Sequence, residues 1–272
     1  MTFETLTETE WTQIERVWNA LDEGDLENAH RALAPLERKR RDHPDVRVVA
    51  AAVALDEGDA AAALERLEGA ERSADPAFFF YLRARAHYDD CGFEEARGDA
   101  QRSLAILPDA PEVHDLISRI AEHLGDPATA AEHAAEANDI DPEAFPMPLE
   151  VDDDAFDRVV KSSLAELPGA VKKHLEEWPV IVDPLPTREM LTAEQPPLSP
   201  DLLGLFVGRH LMERSYADVP GTPGTIHLFR RNLLRTCADR EELEQEIRTT
   251  VLHEVGHLLG LDEDDLEEWG LA

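Results

Sequence analysis

WNALDEGDLENAHRAL (18–33) and AVALDEGDAAAALERL (52–67) are two copies of one pattern. AHYDDCGFEEARGDAQ (86–101) and IAEHLGDPATAAEHAA (120–135) repeat it in looser form. After each turn comes a small residue, Ala29, Ala63, Ala96 and Ala130, at spacings of 34, 33 and 34. Turn glycines are expected at Gly24, Gly58, Gly92 and Gly125, and prolines at the far ends, Pro44, Pro76, Pro108 and Pro142. A period near 34, with helix-forming residues on both sides of a Gly-Asp turn, reads as a two-helix unit stacked four times. The alanines recur because two helices approach closely there, and proline closes a unit because it cannot continue a helix interior. The fold class read from the chain is therefore multi-domain: an all-α helical-repeat solenoid, then a smaller α+β domain.

The repeated stretch, roughly residues 8–144, resembles the tetratricopeptide repeat family. Ala96 with Pro108 and Ala130 with Pro142 match that family's spacing from small helix-B residue to terminal proline. Pro44 lies three residues late and Pro76 one residue late, so the early second helices are longer or their connecting loops looser. The resemblance implies a surface that recruits a protein or peptide partner; the alternative is that the units only stack, cover and orient the second domain. PAFFFYLRARAHY (76–88) places three phenylalanines in a row, more than one narrow helical stripe buries, so core packing on two sides is expected.

The period breaks in FPMPLEVDDDAF (145–156), which sets the expected domains at 1–147 and 148–272. Asp154 is a plausible N-cap for a helix whose apolar face is Phe156, Val159, Val160, Leu164 and Leu167. WPVIVD (178–183), LGLFVG (203–208) and TIHLFR (225–230) read as strands, with PGTPG (220–224) as a turn-forming stretch between the last two. The proline-rich run 183–201 between the first two reads as irregular loop. A short helix at NLLRTC precedes a long one from Asp239 or Arg240, whose first turn is acidic and whose expected stop is Gly260.

That long helix carries TVLHEVGHLLGLDE (250–263). His253 and His257 are i and i+4, so both imidazoles leave one face and can meet one metal ion. Glu254 follows the first histidine, placed to take a proton from a zinc-acidified water without binding the metal itself. Val251, Leu252, Val255, Leu258 and Leu259 supply the buried side, which separates this helix from one that merely displays two surface histidines. In the signature HExxHxxGxx followed by a ligand, glycine ends the helix so that the chain can turn back toward the metal. Glu263 holds that final position, flanked by Asp262 and Asp264.

Residues 150–272 resemble the minimal zincin family of small metallopeptidase-like proteins, on GLFVGRHLMERS (204–215), TIHLFRRNLLRTC (225–237) and TVLHEVGHLLGLDEDDLEEWGL (250–271). The resemblance implies Zn2+ as cofactor, His253 and His257 as metal ligands, Glu254 as general base and a carboxylate at 263 as third ligand. Aspartate is the commoner residue there, so Glu263 lengthens the arm by one methylene. The function implied is a zinc metallopeptidase with a repeat domain for protein recruitment, and TIHLFR is the candidate edge strand for a substrate backbone. Two other readings stay open. One is a non-catalytic adapter with a structural or vestigial zinc site, in which His210 or His227 supplies a fourth ligand; the other is a chaperone-like assembly factor.

Composition narrows the partners. Asp and Glu total 59 against 26 Lys and Arg, a formal charge of −33, and only four of those cations are lysines. Such a field repels phosphate backbones and anionic lipid, so neither nucleic acid nor membrane is an expected partner. A high-salt habitat and a biased genome both produce this composition. No stretch approaches the roughly 18 apolar residues of a membrane span. The acidic start MTFETLTETEWTQ lacks a signal peptide's features, so a cytoplasmic location is expected. Cys91 and Cys237, far apart and outside any CxxC spacing, read as buried, idle thiols.

Overall fold

A computed structural model describes residues 4–167, 169–175, 178–208 and 224–258, with the backbone alone at 170, 171, 174, 257 and 258. The chain divides into two compact units, one of Met1–Pro146 with Leu191–Ser199 and one of Met147–Met190 with Pro200–Ala272.

In the first unit eight helices form four antiparallel pairs. They are α1 (Glu8–Asp22) with α2 (Leu26–Arg40), α3 (Pro44–Asp56) with α4 (Ala60–Leu67), α5 (Pro76–Asp89) with α6 (Phe93–Ile106), and α7 (Pro111–His123) with α8 (Pro127–Ile140). Each pair packs on the next in chain order, the arrangement of a helical-repeat solenoid. Ala29, Ala63, Ala96 and Ala130 are all buried, in keeping with the close helix contacts expected at those positions. Three of the turns are built alike. A left-handed glycine (Gly24, Gly58, Gly125) is followed by an aspartate whose side chain accepts the amide of Asn28, Ala62 or Thr129.

The third turn differs from the expectation. Cys91, not Gly92, takes the left-handed conformation at φ 59°, and Gly92 serves as N-cap of α6 at φ −89°. Counted this way the left-handed positions 24, 58, 91 and 125 keep the 34, 33, 34 spacing of the buried alanines. The turn register is thus set backwards from the packed alanine, not by where glycine stands. Pro44 and Pro76 are also corrected: each opens the following helix at its first turn, where a missing N–H costs nothing. Helix α4 stops after eight residues and Gly69, in the left-handed region, starts a longer connection. Phe79 is fully buried, while Phe78 meets Trp18 edge-to-face at 5.2 Å and Phe80 lies beneath Arg83 and Arg102.

The second unit begins with α9 (Asp153–Glu166), capped by Asp152 through the Ala155 amide. The cap is therefore two residues before the expected Asp154, which lies inside the first turn. Then come α10 (Gly169–Leu175), β1 (Val180–Asp183), α11 (Arg188–Leu191), β2 (Gly204–Val207), β3 (Thr225–Phe229), α12 (Arg230–Thr236) and α13 (Arg240–Leu258). The α11 turn lies within the stretch expected to be wholly irregular. The three strands form one mixed sheet of order β1-β3-β2, with β1 parallel and β2 antiparallel to β3. The expected edge strand TIHLFR is therefore central; among the described strands β2 and β1 are the edges. Its sequence fits that place: Ile226, Leu228 and Phe229 are fully buried, and the ladder is made on both sides.

Leu243, Ile247, Val251 and Val255 recur every four residues along α13 and enter one core with Phe156, Val159 and Val160 of α9, Ile226 and Leu228 of β3, and Leu233 of α12. Among the described residues no helix is long and apolar enough to cross a membrane.

Candidate metal centre

Helix α13 is anchored at its start, where Asp239 Oδ1 accepts the amides of Glu241 (2.8 Å) and Glu242 (3.0 Å). The buried column on one side turns the next positions toward the sheet. His253 is partly buried and Glu254 is only 9% exposed. The helix runs unbroken from Arg240 to Leu258, so His253 and His257 stand one turn apart on its backbone, a spacing at which two ligands can share one ion. Of the His257 side chain the structure describes nothing, and Gly260, Asp262, Glu263 and Asp264 lie outside the described residues. Among the described residues no group of three or more His, Cys, Asp and Glu side chains converges as a metal site. The expected set draws on two residues beyond that description, and its described member, the partly buried His253 imidazole, is a donor type that zinc accepts, beside a buried Glu254 carboxylate that is not itself a ligand of that set.

Glu254 is held by the edge of the sheet. The Phe206 amide of β2 donates to Glu254 Oε2 at 2.7 Å. Buried carboxylates need such donors, and a charge-assisted bond of this length is among the stronger ones a neutral donor makes. The position of β2 is itself tied down: buried Asn232 of α12 donates through Nδ2 to the carbonyls of Pro200 (2.9 Å) and Leu202 (2.7 Å), just ahead of the strand. Gly204 lies against α13, where a Cβ would come within 2.5 Å of Thr250 Cγ2.

His227 does not join this group. Strand alternation turns Ile226 and Leu228 into the core shared with α13, and His227 to the opposite face of the sheet. There its Nδ1 is 2.7 Å from Asp183 Oδ2 on the neighbouring strand. His210 and most of PGTPG lie outside the described residues. Both cysteines are buried thiols that form no disulfide, and burial pushes the Cys237 thiol above its ordinary value, the property of an unreactive thiol. The Phe206 amide and Gly204 were not marked by any residue-type signal, because one acts through its backbone and the other by lacking a side chain. Asp183 was visible only as the end of a strand.

Parts of the chain are similar to solved structures and to one protein family. One similar solved structure is the APC/C hetero-tetramer Cut9-Hcn1, at 16% identity and a TM-score of 0.46, covering 49% of this chain and 27% of that one. MamA is another, at 18% identity and a TM-score of 0.40, covering 46% of this chain and 73% of that one. A MamA RS-1 ArsTM double mutant aligns at 20% identity and a TM-score of 0.42, covering 51% and 78%. The chain thus spans about a quarter of the length of the first of these. No curated protein matches the chain. Residues 175–271, which contain the sheet, α13 and the HEVGH stretch, match the zincin-like metallopeptidase family.

Proposed function

We propose that the second unit is a zinc-dependent peptidase and that the helical repeats recruit the protein it acts on. The observation that carries this reading is the pairing of a continuous HEVGH helix with a buried Glu254 carboxylate bonded to the amide of an edge strand. His253, His257 and Glu263 would hold the ion, with Asp262 and Asp264 the competing carboxylates. Zinc bound there supplies Lewis acidity, lowering a water's pKa toward about 7 and polarising a peptide carbonyl.

The remaining work falls to the chain itself. An extended substrate pairs its backbone with the outer edge of β2, which brings a peptide carbon to the side of Glu254. Glu254 takes a proton from the attacking water and gives it to the amine that leaves as the C–N bond breaks, so it ends the cycle ionised, as it began. The adapter reading, with His227 as fourth ligand, has to bring that ring around from the far face of the sheet.

The test is metal content measured beside hydrolysis of an unstructured protein such as β-casein. Wild type should hold about one zinc per chain, and His253→Ala or His257→Ala should lose it. Glu254→Gln should keep zinc and lose activity by roughly 10²–10⁴-fold, the usual weight of a general base. Full activity in Glu254→Gln would overturn the base assignment.

A further inference from the structure

Strand β2 has two sides, and the hydrogen bonds say which groups face each. Phe229 N donates to Leu203 O at 2.8 Å, and the register pairs Leu205 with His227 and Val207 with Thr225. The odd-numbered residues therefore turn their backbone groups toward β3, and Gly204 and Phe206 turn theirs to the outer edge. It is this outward Phe206 amide that bonds Glu254 Oε2 at 2.7 Å. The other outward residue, Gly204, packs directly against α13. A Cβ there would stand 2.5 Å from Thr250 Cγ2, 3.1 Å from the His227 carbonyl oxygen and 3.6 Å from Glu254 Cγ.

Thr250, itself buried, lies one helical turn before Glu254. Restoring a carbon–carbon contact to ordinary range moves Thr250 by about 1 Å. A rigid helix carries Glu254 with it. The 2.7 Å bond would then open to roughly 3.7 Å, past the length at which a hydrogen bond survives.

We propose that Gly204 and the Phe206 amide are the positioning groups for Glu254: the absent side chain lets α13 close on the strand, and the outward amide then fixes the carboxylate on the edge where a substrate backbone pairs. The catalytic meaning rests on the peptidase reading; the contact does not. Because one strand holds both the carboxylate and the extended substrate, the proton acceptor and the bond to be cut share one frame. An edge strand that did not touch Glu254 would bind substrate without placing it.

Hydrogen exchange resolved to the Phe206 amide tests the contact, with zinc content and steady-state kinetics on β-casein beside it. Gly204→Ala should speed exchange at Phe206 by at least about tenfold, leave the Val251 amide protected and leave zinc stoichiometry unchanged. It should lower kcat about 10²-fold, the usual effect of a misplacement near 1 Å, at nearly constant KM. Adding Thr250→Ala, which removes the colliding methyl group, should recover most of both losses. Glu254→Ala serves if Gly204→Ala does not fold, and should free the Phe206 amide in the same way. Exchange at Phe206 as slow as wild type in either variant overturns the proposal, as does a Gly204→Ala loss that Thr250→Ala leaves untouched. A wild-type protein that binds zinc and cleaves nothing would sink the peptidase reading, while the exchange data still decide the contact.

Discussion

Asp99→Ala should cost the helical repeats about 2 kcal/mol, a figure intermediate between the limits for buried and exposed pairs. Asp99, on α6, is 5% exposed and receives Arg83 of α5 in a fork, Nε to Oδ2 at 2.6 Å and Nη2 to Oδ1 at 2.7 Å. Arg102 adds a third bond at 3.2 Å, and the Arg83 guanidinium lies over the Phe79 ring at 5.0 Å. Removing one partner of a fully buried pair costs about 3–5 kcal/mol, because the other charge stays behind unpaired. Here Arg83 is 22% exposed and borders an open cavity of about 540 Å³ with His87 and Arg102, so water replaces part of what is lost. An exposed pair such as Glu94–Arg97 sets the opposite limit, with a median of about 0–1 kcal/mol.

Thermal unfolding followed by the helical circular dichroism signal is the assay. At roughly 2–4 °C per kcal/mol for a unit of this size, Asp99→Ala should lower Tm by about 4–8 °C and Glu94→Ala by no more than about 4 °C. The Asp99→Ala shift should also persist in high salt, since a largely buried pair is weakly screened. Equal, small shifts for the two variants would refute the claim that this fork locks α5 to α6.

Three further outcomes are expected. The Thr7 amide, then the Arg40 guanidinium, hold Glu10 down from 4.5 to about 2, so its contribution is present above pH 4.5 and lost as pH falls toward 2; Glu10→Gln should flatten that acid limb, and an NMR titration of Glu10 near its ordinary value would contradict the capping box that Thr7 and Glu10 form at the start of α1. Glu263→Ala should weaken zinc binding far more than Asp262→Ala or Asp264→Ala in competition with a chelator, and equal small losses across the three would favour the adapter reading. Residues 1–147 alone should be helical, because each repeat buries its apolar face on the next; a disordered chain by circular dichroism would reject that boundary.

What the chain determined by itself was whatever depends on local periodicity. A 34-residue recurrence with alanine at the tight contact and helix formers on both sides of a Gly-Asp turn reads as stacked helix pairs, and HEVGH on a helix sets His253 and His257 one turn apart by the geometry of 3.6 residues per turn. The Gly-Asp turns were legible for the same local reason, and the structure adds that the aspartates of three of them cap the helices that follow. Only the tertiary structure decided the rest. TIHLFR reads the same as an edge or a central strand, since strand order depends on which neighbours complete the ladder and not on alternation. Cys91 took the left-handed turn beside an available glycine because the packed Ala96 sets the register from the other side. Glu254 takes a bond from a backbone amide 48 residues away, admitted by a glycine whose whole contribution is space. Amides and missing side chains carry no letter in a sequence pattern, and only the folded chain shows what they meet.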